Sequence, residues 1–261
     1  MPRFAANLSF MFNEHPFLDR IDAAAAAGFA FVEFLFPYDY PVDVLAQRMQ
    51  RACVRTVLFN LPPGDWDAGE RGLAALPERA DEMREGLHRA LPYIRALGVK
   101  QVHLMAGFAR GVEADLAYRE AIRWCAAQLA AEGVTLLLEP INGRDMPGYY
   151  LNDVDAAAAL IEELALPNLK LQFDVYHAQI LHGDITRRLQ RLMPLIGHIQ
   201  IAGVPDRHEP DDEELNYAYL FRELDRLGYD GFVGAEYRPR AGTAEGLSWF
   251  APYRRAAQVA S

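Results

Sequence analysis

Cysteine is scarce: Cys53 and Cys125 are the two in 261 residues, far apart and without a CxxC partner. That argues against a disulfide framework and a cysteine-ligated zinc, and makes a reducing cytoplasm the expected location. Both thiols are expected to be buried as small apolar groups. Long hydrophobic runs are also missing. No segment approaches the roughly 18 apolar residues of a membrane helix, and the opening MPRFAANLSFMFNEHPF lacks the apolar stretch of a signal peptide. Basic charge is in deficit, with 26 Lys+Arg against 36 Asp+Glu and a formal charge of −10. Nucleic acid is therefore not an expected partner, because backbone binding needs clustered Lys and Arg. No GxGxxG follows the first apolar run and no GxxxxGK[ST] occurs; His208-Glu209 lacks the second His of HExxH, and no GxSxG elbow is present. Those absences disfavour dinucleotide, P-loop, zincin and α/β-hydrolase chemistry. Internal repeats, low-complexity tracts and linkers are absent too, so one domain over 1–261 is expected.

What is present is an alternation of short apolar runs with longer amphipathic segments. Strands are predicted at 4–8, 31–35, 54–59, 100–105, 134–139, 169–174, 196–201 and 231–236. Helices are predicted at 16–27, 41–51, 77–97, 115–132, 152–165, 184–194 and 216–227, with Asn152 and Asp184 as N-caps and Gly28, Gly98, Gly133 and Gly228 as stops. Eight strands separated by helices at this length predict an α/β fold of the (β/α)8 TIM-barrel type. An open doubly wound sheet competes less well, since it usually has fewer strands and often a Gly-rich first turn.

In such a barrel, chemistry belongs at the C-terminal strand ends. Those ends carry Asn7, Glu33, Asn60, His103, Glu139, Asp174, Gln200 and Glu236. Crowding carboxylates into a poorly hydrated mouth is costly through desolvation and repulsion, and a hard divalent cation removes that cost. Oxygen donors from Glu139, Asp174, Gln200 and Glu236 suit Mg²⁺ or Mn²⁺ better than a structural zinc. The bland alternative is that these acids pair with arginines or cap helices. His177, three residues past Asp174, is placed to donate to a substrate oxygen or simply to sit in a loop. Arg207 either forks onto a substrate carboxylate or pairs with Glu209, Asp211 or Asp212 in its own acidic loop. The loop PPGDWDAGERG, carrying Trp66, Glu70 and Arg71, is either a lid or a structural excursion. Two glutamates on strands that face each other suit proton removal from one carbon and return to its neighbour, the chemistry of aldose–ketose isomerisation and epimerisation.

The motifs NLSFMFNEHPF, VEFLFPYDYP, FNLPPGDWDAGERG, LEPINGRDMPGYYL, FDVYHAQILHGDI, GHIQIAGVPDRHEPD and GAEYRPRAGTAEGLSW resemble the hydroxypyruvate isomerase family, over residues 3–250. That family belongs to the xylose-isomerase-like TIM barrels and includes the 2-oxo-tetronate isomerases. The resemblance implies a metal on Glu139, Asp174, Gln200 and Glu236, with Glu139 and Glu236 as the proton donor–acceptor pair. It places His177 and Arg207 at the substrate, and Asn7, Asn60, His103 and Arg71 are taken as further binding residues. Related ketose 3-epimerases carry His where this chain has Gln200, a weaker and neutral donor. The expected reaction is hydroxypyruvate to tartronate semialdehyde, with conversion of 2-dehydrotetronate to 3-dehydrotetronate as the alternative. An abasic-site nuclease and a non-catalytic sugar-acid barrel are more distant readings. No membrane partner is expected, and apolar helix faces leave a homo-oligomer open.

Overall fold

Eight strands close into a barrel in chain order, each parallel to its neighbours, in a computed structural model that describes residues 1–254. Residues 255–261 of the expected domain lie outside the described residues. The strands are β1 (Arg3–Asn7), β2 (Phe31–Phe34), β3 (Arg55–Asn60), β4 (Gln101–His103), β5 (Thr135–Leu138), β6 (Leu169–Asp174), β7 (Ile196–Ile201) and β8 (Phe232–Ala235). The helices are α1 (Phe17–Ala26), α2 (Val42–Ala52), α3 (Ala80–Leu97), α4 (Val112–Ala130), α5 (Val154–Leu164), α6 (Val175–Leu181), α7 (Ile185–Leu192) and α8 (Tyr217–Arg226). Closure is made by β1 against β8, with Arg3 opposite Phe232 and Ala6 opposite Ala235.

Residue alternation along the strands sets the two sides of the barrel wall. Leu169, Leu171 and Phe173 of β6 and Val233 and Ala235 of β8 join the large core beneath the helices. The intervening residues face inward, where Ala5, Phe31, Val57, Leu58 and Leu137 form a small separate apolar cluster with Phe232 beside it. Above that cluster the same inward rows turn polar: Glu33, Gln172, His198 and Gln200 are all buried. Gly234 leaves the room for Glu33, because a Cβ there would collide with the Glu33 carboxylate.

The observed elements depart from the predicted ones in local ways. His177 lies on a helix, α6, which starts directly from the end of β6, and Asp174 caps it by accepting from Tyr176 N at 2.8 Å. The segment 243–253 forms two short 3₁₀ helices meeting at a kink at Leu247, where none was predicted. The cap of α5 is Asp153, which accepts from Ala156 N, and not Asn152. Asp184 does occupy the cap position of α7, in a left-handed conformation (φ 51°) and without a side-chain cap bond. Cys53 is exposed, contrary to expectation, because it is the left-handed C-cap of α2 (φ 53°); Cys125 is buried. Among the described residues no helix is long and apolar enough to cross a membrane.

Candidate active site

At the C-terminal end of the barrel a cavity of about 530 Å³ is lined by Glu139, Glu236, His177, Arg207, Asn60 and Arg71 among others. Six of the residues singled out from the sequence thus share one cavity. Asn7, His103 and Asp174 are not on its wall but lie against Glu236, Glu139 and Arg207, which are; Gln200 lies deeper, against Gln172 and Glu33.

Glu139 and Glu236 each stand one residue past a strand, β5 and β8. Asn7 Nδ2 donates to Glu236 Oε1 at 3.0 Å, and Gln172 Nε2 donates to Glu139 Oε2 at 2.9 Å. Arg207 Nη2 is 2.6 Å from Glu236 Oε2 and 3.5 Å from Asp174 Oδ2. Its own acidic loop therefore does not claim Arg207; Arg240 pairs with Glu209, Asp211 and Glu213 instead. Arg207 has φ 60°, a left-handed conformation that is uncommon outside glycine, and its guanidinium lies 4.8 Å from the Phe10 ring and 4.9 Å from that of Tyr176.

Burial raises the proton affinity of all three acids, against the pull of Arg207. Glu139 is pushed well above the ordinary carboxylate range by burial and then by Glu236 and Asp174. Burial takes Glu236 to about 8 and Asp174 to about 6, with Arg207 acting to lower both. Arg207 is held charged, since Glu236, Asp174 and Glu139 outweigh its own desolvation.

His177 is buried among fixed partners. Asn142 Oδ1 accepts from the backbone N–H of Arg144 and Asp145, both at 2.9 Å, so its Nδ2 must face His177. That Nδ2 lies 2.6 Å from His177 Nδ1, which makes Nδ1 an acceptor and leaves the proton on Nε2. Burial, then Arg207 and His103, hold this imidazole neutral, well below its ordinary value. Nε2–H sits 3.5 Å from Asp174 Oδ2 and 3.8 Å from Glu139 Oε1. His103 is also neutral, pushed down to about 3 by burial, with Nδ1 3.4 Å from Glu139 Oε2.

A hard divalent cation fits this donor set. Glu139, Asp174 and His177 offer atoms all within 4.8 Å of one another, and Asp174 Oδ2 is buried with no hydrogen-bond partner. Of the three, the acids are the natural oxygen ligands, because the protonated Nε2 of His177 has no lone pair to give. Gln200 lies one layer deeper, its Oε1 accepting from Gln172 Nε2 at 2.7 Å and its Nε2 donating to Glu33 Oε1 at 2.8 Å.

That last contact leads to a buried polar layer beneath the site, built on Glu33, Gln172 and His198. Glu33 is one of the strand-end residues, and nothing in its sequence context assigns it a role. Its carboxylate accepts from Asn7 at 3.1 Å and Gln200, and Oε2 is 2.7 Å from His198 Nε2. A chain of bonds therefore runs Glu33–Gln200–Gln172–Glu139 through the barrel interior. The signal was available: Gln172 and His198 stand two residues before Asp174 and Gln200, on the same face of their strands.

The wall over the site is pinned. Arg71 stacks 3.7 Å from the Trp66 ring centroid and donates to the carbonyls of Trp66 and Glu70. Gly72 bridges to Ala106, and a Cβ at Gly72 would collide with the Met105 carbonyl. These contacts join the base of this loop to the loop after β4.

Comparison with known proteins agrees with this fold. The family model described as xylose isomerase-like TIM barrel matches residues 21–253. A 2-oxo-tetronate isomerase from Cupriavidus necator is 55% identical, covering 97% of this chain and 99% of its own. A hydroxypyruvate isomerase from Escherichia coli is 44% identical, covering 97% and 100%. A crystal structure of a Brucella melitensis protein described as an AP endonuclease, family 2, superposes with a TM-score of 0.96 at 50% identity, covering 98% of this chain and 100% of that one. The chain belongs to the hydroxypyruvate isomerase and 2-oxo-tetronate isomerase family of xylose isomerase-like TIM barrels, and it is an isomerase.

Proposed function

We propose that this isomerase moves the carbonyl of a small hydroxy-2-oxo acid to the adjacent carbon, with the four-carbon 2-oxo-tetronate as its substrate. The chemistry rests on one observation above all: Glu139 and Glu236 meet at one cavity, both buried and both with raised proton affinity. Such groups can hold or take a proton near neutral pH, as acid–base catalysis at carbon requires. The substrate choice rests on the relatives. Hydroxypyruvate comes first on the sequence alone, but the 55% identical relative is a 2-oxo-tetronate isomerase and the hydroxypyruvate isomerase is 44% identical.

The C3 hydrogen of the substrate is acidic because it adjoins the C2 carbonyl. Arg207 beside Glu236 favours its ionised form, so Glu236 takes the C3 proton and Glu139 returns one to C2. The O3 hydroxyl proton passes to O2, which balances the reaction and yields the 3-oxo acid. His177 donates from Nε2 to a substrate oxygen, and Arg207, with Arg71, Arg144 and Arg238 on the same wall, meets the substrate carboxylate. A divalent cation, Mg²⁺ or Mn²⁺, held by Glu139, Asp174, Glu236 and Gln200, would stabilise negative charge on the two substrate oxygens. The reducing cytoplasm goes with this reading.

Glu139→Gln and Glu236→Gln are each expected to lower kcat by about 10²–10⁴ with the melting temperature retained; full turnover in either sinks the mechanism. On one wild-type preparation, kcat/KM for 2-oxo-tetronate should exceed that for hydroxypyruvate by at least about tenfold, a difference of about 1.4 kcal/mol. The reverse ratio would restore hydroxypyruvate. The Brucella protein's description raises a nuclease reading, which needs a multi-histidine zinc cluster and a basic surface. The acid cluster here includes one histidine, and the chain carries −10. About three tightly held zinc ions per chain would revive it.

A further inference from the structure

The sequence contains only two lysines, Lys100 and Lys170, and both line one cavity of about 760 Å³ together with Arg3 and Arg55. This cavity is at the opposite end of the barrel from the glutamates. Arg3 and Arg55 are the first residues of β1 and β3, Lys100 directly precedes β4, and Lys170 is the second residue of β6. Arg3 sits 4.4 Å from the Phe232 ring and Arg55 5.0 Å from that of Phe31, and these two rings are 4.7 Å apart. Lys170 Nζ donates to the Pro194 carbonyl at 2.9 Å. Carboxylates are in excess in this chain, yet none is ion-paired with any of these four cations among the described residues; Asp230 is the one acid on the cavity wall.

A second observation points to a ligand. Thr56, only 6% exposed, lines the same cavity, and its hydroxyl has no hydrogen-bond partner. Gln101, also on the wall, spends its Nε2 on the Gly197 carbonyl at 2.7 Å and leaves a buried Oε1 without a partner. Orphaned polar atoms beside unpaired cations are unfavourable unless something completes them. A ligand that engages all of these groups carries negative charge for the four cations, an acceptor for Thr56 and a donor for Gln101. A phosphate group with a retained P–OH supplies all three, and the cavity is larger than a single orthophosphate fills.

We propose that the N-terminal mouth of the barrel is a second ligand site that takes a small phosphate-bearing anion of two or more negative charges. The site is separate from the reaction, and it abuts the starts of the strands whose far ends carry His103, Asp174 and Gln200.

The test is calorimetric titration of the full chain with inorganic pyrophosphate at fixed ionic strength. One saturable site is expected, with Kd below about 1 mM, weakening as salt rises, and with orthophosphate binding less tightly. The double variant Lys100→Gln/Lys170→Gln should weaken pyrophosphate at least tenfold, and Thr56→Val about threefold, with melting temperatures confirming the fold. If the double variant melts early, the single variants Lys100→Gln and Lys170→Gln, each expected to lose about threefold, carry the test. The proposal is overturned if wild-type chain shows no saturable binding up to about 10 mM, or if the lysine variants keep wild-type affinity. It is equally overturned if Arg207→Ala, in the opposite mouth, is the substitution that abolishes binding.

Discussion

Glu33 shows how a residue beneath the cavity orders the polar layer under its wall. Its carboxylate can only accept, so it draws the Nε2 of Gln200 toward itself and turns Gln200 Oε1 toward Gln172. Glu33→Gln adds a donor at this point and lets the Gln200 carboxamide flip. Divalent affinity, read by Mn²⁺ titration, should fall about tenfold, as is typical when a group supporting a metal ligand is altered; unchanged affinity would show that Gln200 orientation does not matter. The raised acids give a pH signature as well. Glu236 is at about 8 against an ordinary 4.5, and Asp174 at about 6 against 3.8. Both bind protons more tightly when folded, so their contribution is present below the ordinary value and lost as pH rises through the folded one. His103, at about 3 against 6.5, has the opposite sign and withdraws stability as pH falls below 6.5. In chelator, Glu236→Gln should therefore flatten the decline in melting temperature between about pH 4.5 and 8, leaving the acid side in place. A variant with the wild-type slope would contradict the assignment.

At the scale of elements, strand ends were legible and loop contacts were not. The alternation in LQFD and IGHIQI places Gln172, Asp174, His198 and Gln200 inward because the side-chain period of a strand is two. The short α6 was hidden because it follows β6 without an intervening turn, leaving no boundary residue to mark it. The contact between the loops after β3 and β4 was hidden for another reason: it depends on two glycines 35 positions apart, Gly72 and Gly107, each at positive φ and each close to the other's chain. Gly72→Ala is expected to destabilise the fold by about 1–3 kcal/mol in chemical denaturation, through strain and overpacking against the Met105 carbonyl. It should also raise KM, since Arg71 and Trp66 are carried by the same loop. A neutral ΔΔG would mean that the two loops separate readily.

Across the whole molecule, the two mouths of the barrel differ in charge balance: four arginines share one with as many carboxylates, and four cations share the other with Asp230 alone. A divalent cation that binds only the folded chain must raise its melting temperature in a concentration-dependent way. Mn²⁺ or Mg²⁺ should therefore stabilise wild-type protein by several degrees at about 100-fold excess over Kd, and Asp174→Asn should remove that response. A metal-insensitive wild type would argue against the site. The amino-acid sequence alone determined the number of strands, their inward faces and the polar residues at their ends, because those follow from local hydrophobic period and length. Only the tertiary structure decided who touches whom. Arg207 belongs to Glu236 and not to its neighbours, Glu33 meets His198 from 165 residues away, and both lysines share one mouth. Such pairings depend on barrel closure and strand register, which bring distant residues within hydrogen-bond reach and leave adjacent ones apart.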